Sequence, residues 1–197
     1  MAIEGSVLLN VTTAGDNTIT LPASNLTIVG IFHNFPYMKI RISPGMDAIM
    51  PNLGTGYRRV LPVTFTPGVN QVFINSGSAT GYVVLYYGTP LPGAKPLSQY
   101  SGVVATASPT ASGSGTVTPT FPKGTGKLTG FTCYVTASYV ETYFSTSTGK
   151  TLYFFDTDNE RLENDNITPL NVPLADNFTL NYTAGAALSF YAIFFYS

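Results

Sequence analysis

Two uninterrupted apolar runs constrain this chain more than anything else in it. They are GYVVLYYG, residues 81–88, and LSFYAIFFYS, residues 188–197. Each is rich in β-branched and aromatic residues and follows a patch of Gly, Ala, Ser and Thr. Runs of this length without polar alternation read as strands buried on both faces, or on one face with a neighbour against the other. A sandwich of seven or eight strands needs such a strand near its centre. Two of them, one before the midpoint and one at the end, predict two cores. The second run reaches the last residue, so the C-terminus is expected to be tied into a sheet.

The segments around these runs are short, rich in Val, Ile, Thr, Tyr and Phe, and bounded by Gly, Pro, Asn or Ser. GSVLLNVTT, NTITLPA, LTIVGIFHN, YMKIRIS, RVLPVTFT and NQVFINS precede the first run. SGVVATAS, GTVTPTF, KLTGFTCYVT, YVETYFST, KTLYFFDT, NITPLNVPL and NFTLNYT precede the second. All read as strands. In YMKIRIS, Met38, Ile40 and Ile42 are expected on one face and Lys39 and Arg41 on the other. No window carries the 3.6-residue stripe of an amphipathic helix.

The halves end alike. RVLPVTFTPGVNQVFINSGSATGYVVLYYG and TPLNVPLADNFTLNYTAGAALSFYAIFFYS both run from a proline-marked strand through a loop and an alternating strand to the apolar strand. This predicts a duplicated β unit of about 95 residues. The expected fold is all-β, with two tandem small antiparallel β-sandwich (jelly-roll-like) domains at 1–90 and 103–197. One larger single jelly roll is the alternative. Pro90, Pro92 and Pro96 mark 91–102 as a Pro/Gly-rich linker. The stretch GVVATASPTASGSGTVTPTFPKGTG also reads as a flexible segment or an arm that orders on a neighbour.

Charged residues make up only 10% of the chain, against roughly 25% in an average soluble protein. The surface is therefore solvated by hydroxyls and amides and repels its neighbours weakly, which favours association. A net charge of −1 and scattered bases argue against nucleic acid as a partner. No apolar run is long enough to span a bilayer as a helix. The opening MAIEGSVLLN lacks a basic start, so no signal peptide is expected. N-x-[ST] triplets at Asn10, Asn25, Asn166, Asn177 and Asn181 read as the signature of an Asn/Thr-rich β chain more than of glycosylation.

The catalytic inventory is thin. The one histidine, His33, sits between an apolar strand and a turn, where a structural role is the expectation. Cys133, the one cysteine, falls inside a strand and cannot form an intrachain disulfide. FSTSTGKT, residues 144–151, ends like a phosphate-binding loop but has Phe144 where the first glycine belongs. It also joins two strands, so it reads as a hairpin turn. For an enzyme, the acids that can be named are Glu141 and Asp156.

One charged cluster stands out, DTDNERLENDN. Asp156, Asp158 and Glu160 begin a calcium-loop spacing, which then has Arg161 and Ile167 where the turn glycine and the closing glutamate belong. These three are the candidate Ca²⁺ ligands; no other cofactor is expected. Residues 1–100 carry five bases and three acids, +2, and residues 101–197 carry four bases and seven acids, −3. That asymmetry suits head-to-tail contacts between copies, with Arg58 and Arg59 against the acidic loop. Tyr86, Tyr87, Tyr191 and Tyr196, apolar bodies with polar tips, complete the interface candidates.

Tandem small sandwiches, a low-charge Gly/Ser/Thr/Asn-rich composition, no catalytic set, and an apolar strand such as GYVVLYYG after NSGSATG resemble virion structural proteins of bacterial or archaeal viruses. These are capsid decoration (cement) proteins, minor capsid proteins and head-spike modules. The resemblance covers the whole chain in style and rests on no single diagnostic motif. It implies a non-enzymatic protein of the virion that assembles with itself and with other capsid proteins. The alternative is a carbohydrate-binding, lectin-like module of a viral fibre or spike, with the loop after Phe155 as the place for a glycan beside Ca²⁺.

Overall fold

The computed structural model describes residues 3–44, 46–51, 60–90, 92–122, 125–135, 140–145, 151–156, 168–174 and 179–197, with the backbone alone at 134–135, 140–145, 151–156 and 168–169. The chain divides into two compact units, Met1–Ser101 and Gly102–Ser197. Both are built from strands.

The first unit contains β1 (Ile3–Val11), β2 (Asp16–Thr20), β3 (Ile28–His33), β4 (Tyr37–Ser43) and β5 (Met46–Pro51). It continues with β6 (Leu61–Phe65), β7 (Gln71–Asn75), β8 (Gly81–Gly88) and the two-residue β9 (Lys95–Pro96). One sheet has the order β1-β8-β3-β6-β9 and the other β2-β7-β4-β5. The second unit contains β10 (Gly102–Ala107), β11 (Gly113–Val117), β12 (Lys127–Val135) and β13 (Val140–Ser145). It ends with β14 (Thr151–Asp156), β15 (Thr168–Pro173), β16 (Leu180–Ala184) and β17 (Phe190–Tyr196). Its sheets are β10-β17-β12-β15 and β11-β16-β13-β14.

The two wraps are the same. Strands one to eight of the first unit occupy the places of β10 to β17 in the second, and successive strands alternate between the two sheets as in a jelly roll, except for the hairpins β4–β5 and β13–β14, which stay in one sheet. The two long apolar runs, β8 and β17, lie between two partners each, which is where a strand without polar alternation belongs. The match extends to an irregularity. The register of β3 shifts between Ile28 and Gly30, and that of β12 between Leu128 and Gly130. Gly30 stands opposite Pro62 and Gly130 opposite Pro169. Proline cannot donate to a ladder and is tolerated where a bulge interrupts it.

In the first unit, Ile31, Val63, Val83 and Leu85 of one sheet and Ile19, Met38, Ile40, Val72 and Ile74 of the other are buried. In the second, one apolar cluster joins Ala105, Phe131, Cys133, Phe190, Ala192 and Phe194 of one sheet to Leu180 and Ala184 of the other. Phe131 and Phe194 touch with ring centroids 5.1 Å apart. Two edge strands, β1 and β11, each place a glycine opposite a tyrosine, Gly5 by Tyr87 and Gly115 by Tyr182. In both, a Cβ on the glycine would run into the tyrosine ring. The ring thus covers backbone that a glycine leaves bare.

Three sequence expectations change. Residues 91–102 are only in part a connector. Lys95–Pro96 pairs in parallel with β6, residues 97–100 form a 3₁₀ turn with Leu97 and Tyr100 buried, and Ala48 bridges Ser101. The two apolar side chains recruit a proline-rich segment to the first unit. The stretch from Gly102 to Gly126 is not a free arm, because it contains β10 and β11, paired with β17 and β16. Finally, Met38 and Ile40 are buried but Ile42 is 36% exposed. The β4–β5 register shifts between Arg41 and Ser43, so strict alternation ends before Ile42. Among the described residues, no helix is long and apolar enough to cross a membrane.

Candidate functional site

The outward face of the β2-β7-β4-β5 sheet holds a shallow cleft of about 240 Å³. Strand alternation builds it. Val72 and Ile74 turn inward on β7, so Phe73 and Asn75 turn outward. Ile19 turns inward on β2, which leaves Asp16 and Thr18 outside. Lys39 and Arg41 do the same on β4, with Asp47 opposite Arg41 on β5. The cross-strand pairs Asp16–Asn75, Thr18–Phe73 and Lys39–Asn75 bring the groups together.

Their geometry is partly fixed. Asn75 Nδ2 donates to Asp16 Oδ1 at 2.8 Å, and Asn75 Oδ1 accepts from the Gly77 amide at 2.8 Å. Arg41 lies 3.6 Å from Asp47 through Nε and 4.0 Å from Asp16 through Nη2. Both distances are beyond hydrogen-bond range. Phe73, at 46% exposure, forms an apolar patch among these groups. Two cations, Lys39 and Arg41, and two anions, Asp16 and Asp47, leave the cleft without net charge.

A second surface lies on the other sheet. β1 is an edge strand of nine residues. Leu8 is 58% exposed and Ile3 45%. Leu8 stands opposite Val84, and Phe32 flanks Val84 on its other side. Phe32 and Tyr82 are in ring contact at 5.7 Å. Glu4 is the only charged side chain of β1.

His33 faces inward at the end of β3, opposite Val83. It is buried and stacks on Phe35 at 5.7 Å, and among the described residues neither ring nitrogen meets a partner in good hydrogen-bond geometry. Burial lowers its pKa from 6.5 to about 4, against a weaker upward influence of the backbone at Met50, Pro51 and Phe35. The ring is therefore neutral at pH 7 and shut off from solvent. Cys133 occupies the matching place on β12, opposite Ala192, as a buried thiol outside any disulfide.

Of the residues singled out from sequence, Arg58, Arg59, Asp158 and Glu160 lie outside the described residues, as does most of FSTSTGKT. Asp156 closes β14 and Glu141 lies on β13, both described by backbone alone. The calcium loop and its pairing with Arg58 and Arg59 therefore fall outside the described residues. Tyr86 and Tyr191 are half-buried, Tyr87 covers Gly5, and Tyr196 meets the Phe121 ring edge-on at 6.1 Å. The four tyrosines are thus divided between the two units. Among the described residues, no group of three or more His, Cys, Asp or Glu side chains is placed to hold a metal. No protein-family model matches the chain, and no curated protein matches it.

Proposed function

We propose that this is a non-enzymatic virion structural protein, a capsid decoration or minor capsid component, that assembles with copies of itself and with other capsid proteins through its sandwich surfaces. The observation that carries the reading is the β1 edge. It is long, it has one charged side chain, and it displays Leu8 and Ile3 to solvent. An edge of this kind is a template for another strand unless something covers it. The repeated jelly-roll-like wrap agrees with the reading by analogy of fold, since such rolls recur in capsid and lectin domains. The low charge agrees too, because subunits can approach without burying ions, at several kcal/mol each.

Light scattering across a salt series tests it. A discrete oligomer that resists salt is expected, and Leu8→Lys is expected to dissociate it. A monomer at every salt and protein concentration, with Leu8→Lys indistinguishable from the parent, would remove the reading's support.

A further inference from the structure

We infer that the cleft on the outward face of β2, β7 and β4 binds a single neutral pyranose ring. The inference goes beyond the assembly reading and does not depend on it. It also concerns a place in the molecule different from the acidic stretch after Phe155.

The floor is Phe73, nearly half exposed, with Ile74 beside it and polar side chains around them. A pyranose presents one face of C–H groups, and stacking that face on the ring removes apolar area from water on both sides. The rim is a set of planar polar groups whose positions are already restrained. Asn75 is held at both ends, by Asp16 and by the Gly77 amide. Arg41 lies between Asp47 and Asp16 in two exposed ion pairs that bias its position without fixing it. Restrained groups lose little rotamer freedom on binding.

The spacing selects hydroxyls. Asp16 Oδ1 and Arg41 Nη2 are 4.0 Å apart, too far for a direct hydrogen bond. One hydroxyl between them can donate to the carboxylate and accept from the guanidinium, because a hydroxyl does both at once. Neighbouring ring hydroxyls extend the same pattern to Asn75 and to Lys39. The charge balance selects neutrality, since an ionic ligand would upset a set of two cations and two anions. The volume admits about one ring: the cleft is smaller than the roughly 300–1,000 Å³ of sites for drug-sized ligands.

The second unit supplies an internal control. At the positions of Asp16 and Asn75 it has Ser114 and Thr183, hydroxyl to hydroxyl at 3.0 Å. At the position of Phe73 it has Asn181. At these three positions the second unit has neither the phenylalanine ring nor the carboxylate and amide of the first.

The test is a two-dimensional NMR titration of the isotopically labelled full chain with methyl glycosides of glucose, galactose, mannose and N-acetylglucosamine. N-acetylneuraminic acid and free alanine serve as charged and zwitterionic comparators. At least one neutral glycoside is expected to saturate with Kd of about 1–10 mM. It should shift the Phe73 ring and the Asn75 side-chain amide and leave β11 and β16 unmoved. Phe73→Ala is expected to weaken binding about tenfold, and Phe73→Tyr to keep it within about threefold. Arg41→Gln is expected to weaken it about tenfold without moving the second unit's resonances. Absence of saturation by every neutral glycoside would overturn the inference. So would binding that survives Phe73→Ala, shifts confined to other residues, or preference for the charged or zwitterionic comparator.

Discussion

Ile31 faces Leu85 in the first unit where Phe131 faces Phe194 in the second, and Leu9 and Val83 stand where Ala105 and Ala192 do. The larger residues of one pair are offset by smaller ones in the next. At these positions side chains of medium size fill one interior, and an alternation of rings and methyl groups fills the other. Strand order, bulge and proline position are shared, while packing is not. The wrap follows from alternation, turns and the interrupted ladder at Gly30 and Gly130. The interior is free to change as long as total volume is kept.

The largest expected effect separates the two packings. Phe194→Ala should cost about 3–5 kcal/mol, because the flanking Ala105 and Ala192 have no side-chain reach to close the hole. Leu85→Ala should cost less, about 2–3 kcal/mol, since Leu9 and Ile31 can relax into the space. Denaturant unfolding of both variants checks this. Equal losses would mean that the interiors respond alike despite their composition.

Next comes acid. His33 and Cys133 occupy matching places, an imidazole in one unit and a thiol in the other. The pKa of His33 is about 4 folded and near 6.5 unfolded. Between these values the unfolded chain binds the extra proton, so stability falls as pH drops from about 6.5 to about 4 and levels off below. Above about 6.5 the ring is neutral in both states and contributes no pH dependence. The full loss is about 3 kcal/mol. His33→Cys, which copies the second unit, should flatten the difference between denaturant midpoints at pH 7.5 and pH 4.5. A variant with the parent's slope would place the acid sensitivity elsewhere.

Much of the fold was legible because its signals are local. The two apolar runs, the alternation in NQVFINS and YMKIRIS, and the matched halves all appear within short windows. What escaped was non-local. Nothing in YMKIRIS marks the bulge that exposes Ile42, since a bulge is a property of a strand pair. The prolines of 91–102 spoke for a connector, and Leu97 and Tyr100, spaced among polar residues, spoke too softly against it. The outward placement of Lys39 and Arg41 was readable, but their meeting with Phe73 and Asp16 depends on β4–β7 and β2–β7 pairing across long loops. The acidic cluster drew attention instead, because its charges are contiguous in sequence.

A smaller effect probes a contact that each unit makes on a different edge strand. Gly5→Ala and Gly115→Ala each put a methyl group into a tyrosine ring, Tyr87 or Tyr182. Both rings are half-buried and can swing aside, so each change should cost about 1 kcal/mol, near the low end for overpacking. Similar losses in thermal unfolding would show that the glycine–tyrosine contact works alike on two edges that are not equivalent, β1 of one unit and β11 of the other. A loss in one alone would show that the second tyrosine has room to move.

The smallest expected change in stability is also the most discriminating for function. Arg41→Gln removes two ion pairs, but their side chains are 49%, 73% and 30% exposed, and water screens them. Such pairs contribute about 0–1 kcal/mol together. If the charged rim existed for stability, the hydroxyl pair Ser114–Thr183 at the matching place would be a poor replacement, and the second unit would need another device there. A measured loss under about 0.5 kcal/mol, with glycoside binding weakened in the same variant, would assign the rim to recognition. A loss well above 1 kcal/mol would instead make the cluster a structural clamp of the β2-β7-β4-β5 sheet, and the difference between the units would then be one of stability alone.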